Sequence, residues 1–241
     1  MAAFRQRQPD PGVIPTMTDT SYETQWFPVA GSGDLPFRHV YHGELLGQEL
    51  AVWRADDGFV NIWENRCLHR GVRLSLGLNL GQSLRCQYHG WTYASRTSGC
   101  IYIPAHPENA PARLICNKVF ASAERHGLVW SNLKGSGDLP AIDRLEGRDG
   151  LTMRPIPVSA PASTVVDALQ AEGMQRDEEF ALRTSDGGES LFVQPVSAAR
   201  AIIRGIAHAV VVETRLDVLQ QWNTRLSRLR DRCEALAGGS A

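Results

Sequence analysis

Between residues 22 and 133 the apolar positions come in short clusters, broken every few residues by Gly, Asp, Asn or Ser. That rhythm predicts many short strands rather than helices. Trp26-Phe27-Pro28-Val29 opens the series, followed by residues 37–42 and 48–54. Asp57-Gly58 is a hairpin signal between the last of these and residues 59–63, since both residue types accept the positive φ of tight turns. Further strands are predicted at residues 83–86, 91–93, 118–120 and 128–130. Closely spaced strands with Gly-rich turns predict a small antiparallel barrel or sandwich.

The pattern changes after residue 133. Residues 134–155, with Gly135-Ser136-Gly137-Asp138 and Gly147-Arg148-Asp149-Gly150, read as a linker. Residues 156–241 read as a small α+β domain. Within it a short helix is predicted over 163–172 with Gly173 as its stop, then strands at 180–183, 190–194 and 200–212, with Ser185-Asp186-Gly187-Gly188 as a turn. Leu216, Leu219, Trp222, Leu226, Leu229, Cys233 and Leu236 recur every three or four residues and predict a long final helix. Its Arg225, Arg228, Arg230 and Arg232 read as a solvated face, with partner docking as the alternative. Residues 1–21 are polar and contain proline, which predicts a flexible tail; Met17 offers an alternative start.

With 241 residues, 43% of them hydrophobic and 21% charged, the chain can bury a core as one large domain or two small ones. A formal net charge of −1 argues against a sequence-wide nucleic-acid or membrane footprint. No apolar run approaches the roughly 18 residues of a membrane span, and the N-terminus lacks the apolar core of a secretory signal. The expectation is a cytoplasmic protein that binds neither nucleic acid nor membrane. Five cysteines, an odd number, argue against a disulfide framework. Cys100, Cys116 and Cys233 fit buried or incidental thiols. Cys67 and Cys86 differ, because each has a histidine at ligand spacing.

Cys67-Leu68-His69 and Cys86-Gln87-Tyr88-His89 lie sixteen residues apart. Thiolate and imidazole together point to a soft or borderline metal. Zinc is the rival reading, but zinc ribbons and fingers usually pair each cysteine with another cysteine a few residues on. Here each short segment supplies one thiolate and one imidazole, which suits a 2Fe-2S cluster with two cysteines on one iron and two histidines on the other. Gly71 and Gly90 follow closely, where backbone free to turn can aim its amides at bridging sulfides. Pro104 in Ile103-Pro104-Ala105 could form a third wall.

These segments, with Asn65-Arg66 before the first and Gly90-Trp91-Thr92-Tyr93 after the second, resemble the N-terminal Rieske domain of Rieske non-haem iron oxygenases. The likeness is to the α subunits of ring-hydroxylating and demethylating systems, and it covers residues 22–133; Glu124-Arg125-His126-Gly127-Leu128-Val129-Trp130 resembles that domain's closing strand. It implies a mainly β Rieske-type antiparallel domain, with Cys67, His69, Cys86 and His89 as both metal ligands and cofactor-binding residues. Neither ligand loop has the extra cysteine of respiratory Rieske proteins, which implies a potential toward the low end of the Rieske range, about −150 mV.

Such subunits continue into a domain whose mononuclear iron takes two histidines and a carboxylate. After Gly127 this chain has one histidine, His208, so no mononuclear iron site and no catalytic residue are expected here. His106 and His126 read as surface or packing residues. The helix, strands and final helix after residue 156, with Leu191-Phe192-Val193-Gln194-Pro195-Val196, resemble the last part of that catalytic domain, as a reduced remnant; an unrelated α+β cap is the alternative. The function implied is that of an electron-transfer subunit. It would take electrons from a flavin or iron–sulfur reductase and pass them to a catalytic oxygenase subunit in a hetero-oligomer. A free-standing redox or regulatory protein and an inactive truncated oxygenase are the alternatives.

Overall fold

The computed structural model describes residues 20–108, 114–136, 139, 150–208 and 214–238. Most of the tail expected over 1–21, most of the expected linker, and the end of the strand expected over 200–212 lie outside them. The first half contains β1 (Phe27–Gly31), β2 (Val40–Leu45), β3 (Gln48–Arg54), β4 (Val60–Glu64), β5 (Leu78–Asn79), β6 (Ser83–Arg85), β7 (Thr92–Ala94), β8 (Cys100–Tyr102), β9 (Ala123–Arg125) and β10 (Leu128–Ser131). They form three antiparallel sheets, ordered β1-β10-β9, β2-β3-β4 and β5-β6-β7-β8. The second half contains β11 (Gly150–Thr152), β12 (Ile156–Val158), α1 (Ala162–Ala171), β13 (Gln175–Glu178), β14 (Ala181–Arg183), β15 (Glu189–Ser197), β16 (Arg200–His208) and α2 (Arg215–Gly238). Its strands make one antiparallel sheet, β11-β16-β15-β14-β13, with β12 also on β16. The chain is thus mainly antiparallel β, with a small α+β part that ends in a long helix.

The sheet β2-β3-β4 separates two cores. Alternate residues of a strand point to opposite faces. Leu50 and Val52 of β3 and Ile62 of β4 therefore enter a large core. Ala51, Trp53 and Trp63 enter a second core that also holds Cys67, Cys86 and Tyr93. With both faces covered, β3 reads as the unbroken apolar run Leu-Ala-Val-Trp rather than an alternation. At the β3–β4 hairpin, Gly58 has φ +85° and the Phe59 N–H donates to the Asp57 carboxylate, so Asp57-Gly58 turns the chain within a loop over residues 55–59.

The large core is common to both halves. Phe27, Val29, Leu45 and Val52 pack in one cluster with Ile156, Val165, Leu191, Ile203, Trp222, Leu226 and Leu229. Backbone bonds Leu46 N–H to Pro195 O (3.0 Å) and Gly47 N–H to Val196 O (2.6 Å) join the β2–β3 turn to β15. Arg204, 2% exposed, reaches from β16 into the first half. Its guanidinium donates to Val29 O (2.7 Å), Tyr41 Oη (3.3 Å) and Gln194 Oε1 (2.8 Å). Gln194 in turn donates to Glu44 O. A buried guanidinium is tolerated because its donors are matched by acceptors.

Three local expectations need correction. Residues 150–152, predicted as linker, form β11, because pairing with β16 satisfies backbone groups that an edge would leave open; Met153 beside them is buried. Residues 118–120, predicted as a strand, make only an isolated bridge between Val119 and Trp63. On the final helix, Trp222, Leu226, Leu229 and Cys233 are buried, while Leu216 and Leu236 at its ends are exposed. Two of its arginines are not simply solvated: Arg225 pairs with Glu172 and Glu189, and Arg232 with Glu172.

Candidate metal centre

Cys67 to Val72 and Cys86 to Trp91 form two loops with the same backbone closure. The Cys67 N–H donates to Val72 O and the Cys86 N–H to Trp91 O, both at 2.8 Å. The Gly71 N–H donates to Cys67 O (2.8 Å) and the Gly90 N–H to Cys86 O (3.1 Å). Gly71 and Gly90 both sit at φ +70°, in the left-handed region where other residues are strained by about 1–2 kcal/mol. A Cβ on Gly90 would stand 3.0 Å from the Pro104 ring, so the proline does wall in the second loop.

The histidines occupy the third place of one loop and the fourth of the other. This offset brings their rings together from two sides, with Nδ1 of His69 and Nδ1 of His89 3.0 Å apart. His69 stacks on Trp91 (centroids 4.8 Å, planes 2° apart) and His89 on Tyr88 (3.8 Å). The cysteines are 3% and 2% exposed, whereas both histidines are exposed. The donor set is therefore layered, with thiols inside and imidazoles at the surface.

Tyr93 was predicted only as part of a strand. It is buried beneath the first loop, its hydroxyl 3.2 Å from Cys67 Sγ. The same oxygen accepts from the Leu68 N–H (3.3 Å), and toward a deprotonated sulfur it can act only as donor. A buried tyrosine hydroxyl needs a partner, and that was the available signal in the sequence. Glu49 was also missed. Its carboxylate takes the guanidinium of Arg73 at 3.0 Å (Nε) and that of Arg66 at 3.0 Å. Those arginines bracket the first loop, so one side chain on β3 clamps both of its ends. Asn65 and Ser75 add a second tie, with Ser75 N–H to Asn65 Oδ1 at 2.7 Å.

Burial pushes the Cys86 thiol above its ordinary value, and the nearby Cys67 thiol adds to the effect. Burial and then Cys67 also push the Tyr93 phenol up, which keeps it a donor. Partial desolvation, then His89 and Arg70, lower His69. All these directions disfavour charge in the absence of a cation. A bound metal inverts that preference and holds the thiols as thiolates. Two buried thiols on the same two loops as two convergent Nδ1 atoms are a donor set whose chemistry fits a metal group.

The other histidines stand apart. His106 is exposed. His126 lies in the β9–β10 turn at φ +56° with its Nε2 buried. His208 Nε2 contacts Ser190 Oγ at 3.1 Å. A further group of possible ligands, His42, Glu44 and Glu49, has its carboxylates engaged by Arg200, Arg66 and Arg73. Cys100 and Cys233 are buried thiols and Cys116 is exposed. Among the described residues, no helix is long and apolar enough to cross a membrane.

The family described as Rieske [2Fe-2S] domain matches residues 25–120, which contain both loops and Pro104. Residues 25–120 are a Rieske domain. The domain implies a Rieske 2Fe-2S cluster. Over 109 residues, 45% of the chain, it is 57% identical to the oxidoreductase NdmD of Pseudomonas putida, of which this is 18%. It is 40% identical over 103 residues, 41% of the chain, to the methylxanthine N1-demethylase NdmA of the same organism, covering 28% of that protein. Over 105 residues, 44% of the chain, it is 32% identical to the toluene-4-sulfonate monooxygenase system iron-sulfur subunit TsaM1 of Comamonas testosteroni, covering 29% of it. The chain thus spans less than a third of each of these relatives. Solved structures reach further. Dicamba monooxygenase superposes with a TM-score of 0.73 at 17% identity, over 89% of this chain and 86% of its own. The QL mutant of P. putida NdmA with theobromine gives 0.69 at 18%, over 89% and 82%. The likeness in fold therefore extends beyond the Rieske domain into the second half.

Proposed function

We propose that Cys67 and Cys86 hold one iron of the cluster and the Nδ1 atoms of His69 and His89 the other, and that the chain is an electron-transfer subunit of a multicomponent non-haem iron oxygenase. The layered donor set in two matched loops carries this reading. When bound, the group supplies a one-electron couple. The chain does the rest: it shields the sulfurs from water, donates the Tyr93 hydrogen bond to one of them, and exposes the imidazole side at the surface. Electrons thus have a short route in and out at one tip.

In this reading a reductase supplies the electrons, and a separate oxygenase subunit with a mononuclear iron receives them, in a hetero-oligomer. TsaM1 is by name one subunit of a monooxygenase system, and one structural neighbour is a complex of an oxygenase with a ferredoxin in carbazole 1,9a-dioxygenase (TM-score 0.63, 16% identity). The sequence supports assigning the mononuclear iron elsewhere, because His208 is the one histidine after Gly127 and a two-histidine, one-carboxylate site needs another. The second half is then a remnant of a catalytic domain, retained because it completes the core. Five cysteines, none of them in a disulfide, suit a reducing, cytoplasmic setting.

The test is anaerobic purification with metal and sulfide analysis. Two irons and two sulfides per chain, a red-brown colour and a signal from the reduced cluster are expected; one zinc and no iron overturns the assignment. His89→Cys keeps a coloured cluster at a ferredoxin-like potential, whereas His89→Ala loses it. The loaded chain plus a reductase alone turns over no aromatic or N-methylated substrate; turnover would refute the separate catalytic subunit.

A further inference from the structure

The sheet β5-β6-β7-β8 has one buried face and one that meets solvent. Leu84 pairs with Tyr93 and Tyr93 with Cys100, and all three are buried in the core that holds Cys67 and Cys86. Cross-strand partners share a face. Leu78, Arg85, Thr92 and Tyr102 pair in one row and so belong to the outer face. Cys100 and Tyr102 are two residues apart and would share a face in a regular strand. The register shifts between Thr92 and Tyr93, which inserts Ile101 as an extra residue and turns Tyr102 outward.

That row accounts for a recess of about 390 Å³ on the outer face. Thr92, 4% exposed, is its short floor, and the longer Arg85 and Tyr102 stand on either side. Neighbouring strands lie about 4.8 Å apart, so the two walls start roughly 10 Å apart, with room for one flat ring between them. Leu80 and Pro104 add apolar surface, and Ser83 adds a hydroxyl. The side-chain polar heads of Ser83, Arg85 and Tyr102 have no hydrogen bond or ion pair among the described residues. Among those residues no carboxylate lines the recess, and residues 66–107 contain neither aspartate nor glutamate. It offers an anion one guanidinium and two hydroxyls beside apolar walls.

We infer that this recess binds a small organic anion with a flat apolar body, its oxyanion on Arg85 and its ring against Tyr102. A guanidinium forks onto a carboxylate in two parallel bonds, and a tyrosine ring stacks on another ring. An inorganic oxyanion leaves the apolar walls unused, and a neutral ring leaves the guanidinium unmatched. Both halves of the ligand are therefore needed. Arg85 precedes Cys86, and Pro104 walls the second loop, so the occupant sits beside the candidate metal centre. The inference does not depend on which metal group that centre holds.

The test is calorimetric titration of the purified full chain with 2-naphthoate, 2-naphthamide and acetate. A ligand of about 13 non-hydrogen atoms at drug-like efficiency has a dissociation constant of about 1 mM. That value is expected for 2-naphthoate at a single site per chain, with the amide and acetate each at least about tenfold weaker. Arg85→Gln is expected to weaken 2-naphthoate about tenfold and Tyr102→Ala about fivefold. Arg96→Gln, in which the altered arginine is already paired with Asp57, binds as wild type. No saturable binding of 2-naphthoate up to about 10 mM, about tenfold above the expected constant, overturns the inference. So does an amide that binds as tightly as the carboxylate, or an R85Q chain that binds as wild type. The amide and acetate titrations need no variant, so they decide the question even if R85Q is unstable. All of these titrations read the recess whether or not the chain holds a cluster, so failure of the cluster assignment and failure of this site are separate outcomes.

Discussion

Replacing Tyr93 by Phe removes one oxygen and leaves the ring in place, so the change isolates a single hydrogen bond. In the structure that oxygen accepts from the Leu68 N–H and lies 3.2 Å from Cys67 Sγ, to which it can only donate once the sulfur is a thiolate. A hydrogen bond to a charged acceptor contributes about 1.5–3 kcal/mol. Reduction places one more electron on the metal–sulfur unit, so the bond strengthens on reduction; taking about a third to a half of its worth as the difference gives roughly 1 kcal/mol. For a one-electron couple a tenfold change is 59 mV, or about 1.4 kcal/mol, so the expected shift is about 40 mV. Its sign is negative, because the reduced state loses more. The measurement is a spectroscopically monitored redox titration of wild type and Tyr93→Phe at one pH and salt concentration. Stability is expected to drop by about 1 kcal/mol as well, since the Leu68 amide loses its acceptor. An intact cluster whose potential moves by less than about 10 mV, or moves upward, would refute the claim that Tyr93 donates to the sulfur.

Other perturbations test the frame around the site. Arg204→Ala strands Gln194 Oε1 and Val29 O in a core common to both halves, and is expected to cost about 3 kcal/mol in denaturant unfolding; both halves should then unfold in one transition. Gly90→Ala puts a side chain at φ +70° and 3.0 Å from Pro104, and should shorten the lifetime of the cluster's visible absorbance several-fold in the presence of an iron chelator. The Arg73 hydrogen bond holds the Glu49 carboxyl below its ordinary value, against an opposing effect of burial. A carboxylate with a lowered folded-state pKa stabilises the fold above its unfolded value, near 4.5, and loses that contribution as pH falls through the lower folded value. Glu49→Gln should therefore be less stable than wild type at pH 7, with the difference shrinking in urea melts as the pH is lowered below about 4.5.

Much of this chain was legible before any coordinates. The types and spacing of the candidate donors, the glycine four places after each cysteine, the Asp57-Gly58 turn and the heptad-like stripe of α2 are local patterns, and local patterns report on residues that are neighbours along the backbone. Element positions followed for the same reason: α1 begins one residue from its predicted start, and Gly173 ends the turn beyond it at φ +90°. Where a segment's fate depends on a distant partner, the local pattern misled. Residues 150–152 become a strand only because β16 lies alongside.

What the amino-acid order determined alone is a set of four soft-metal donors in two short segments, within a chain of antiparallel strands. What tertiary structure decided is how those donors face. Only folding sets the two Nδ1 atoms 3.0 Å apart at the surface, buries the sulfurs, and brings Tyr93 from twenty-six residues away to one of them. Only folding joins Arg204 to Val29, 175 residues apart, and so makes one core of two halves that read as separate. The physical reason is that burial, charge pairing and ligand geometry are properties of contacts, and most contacts that matter here close loops far longer than any sequence motif.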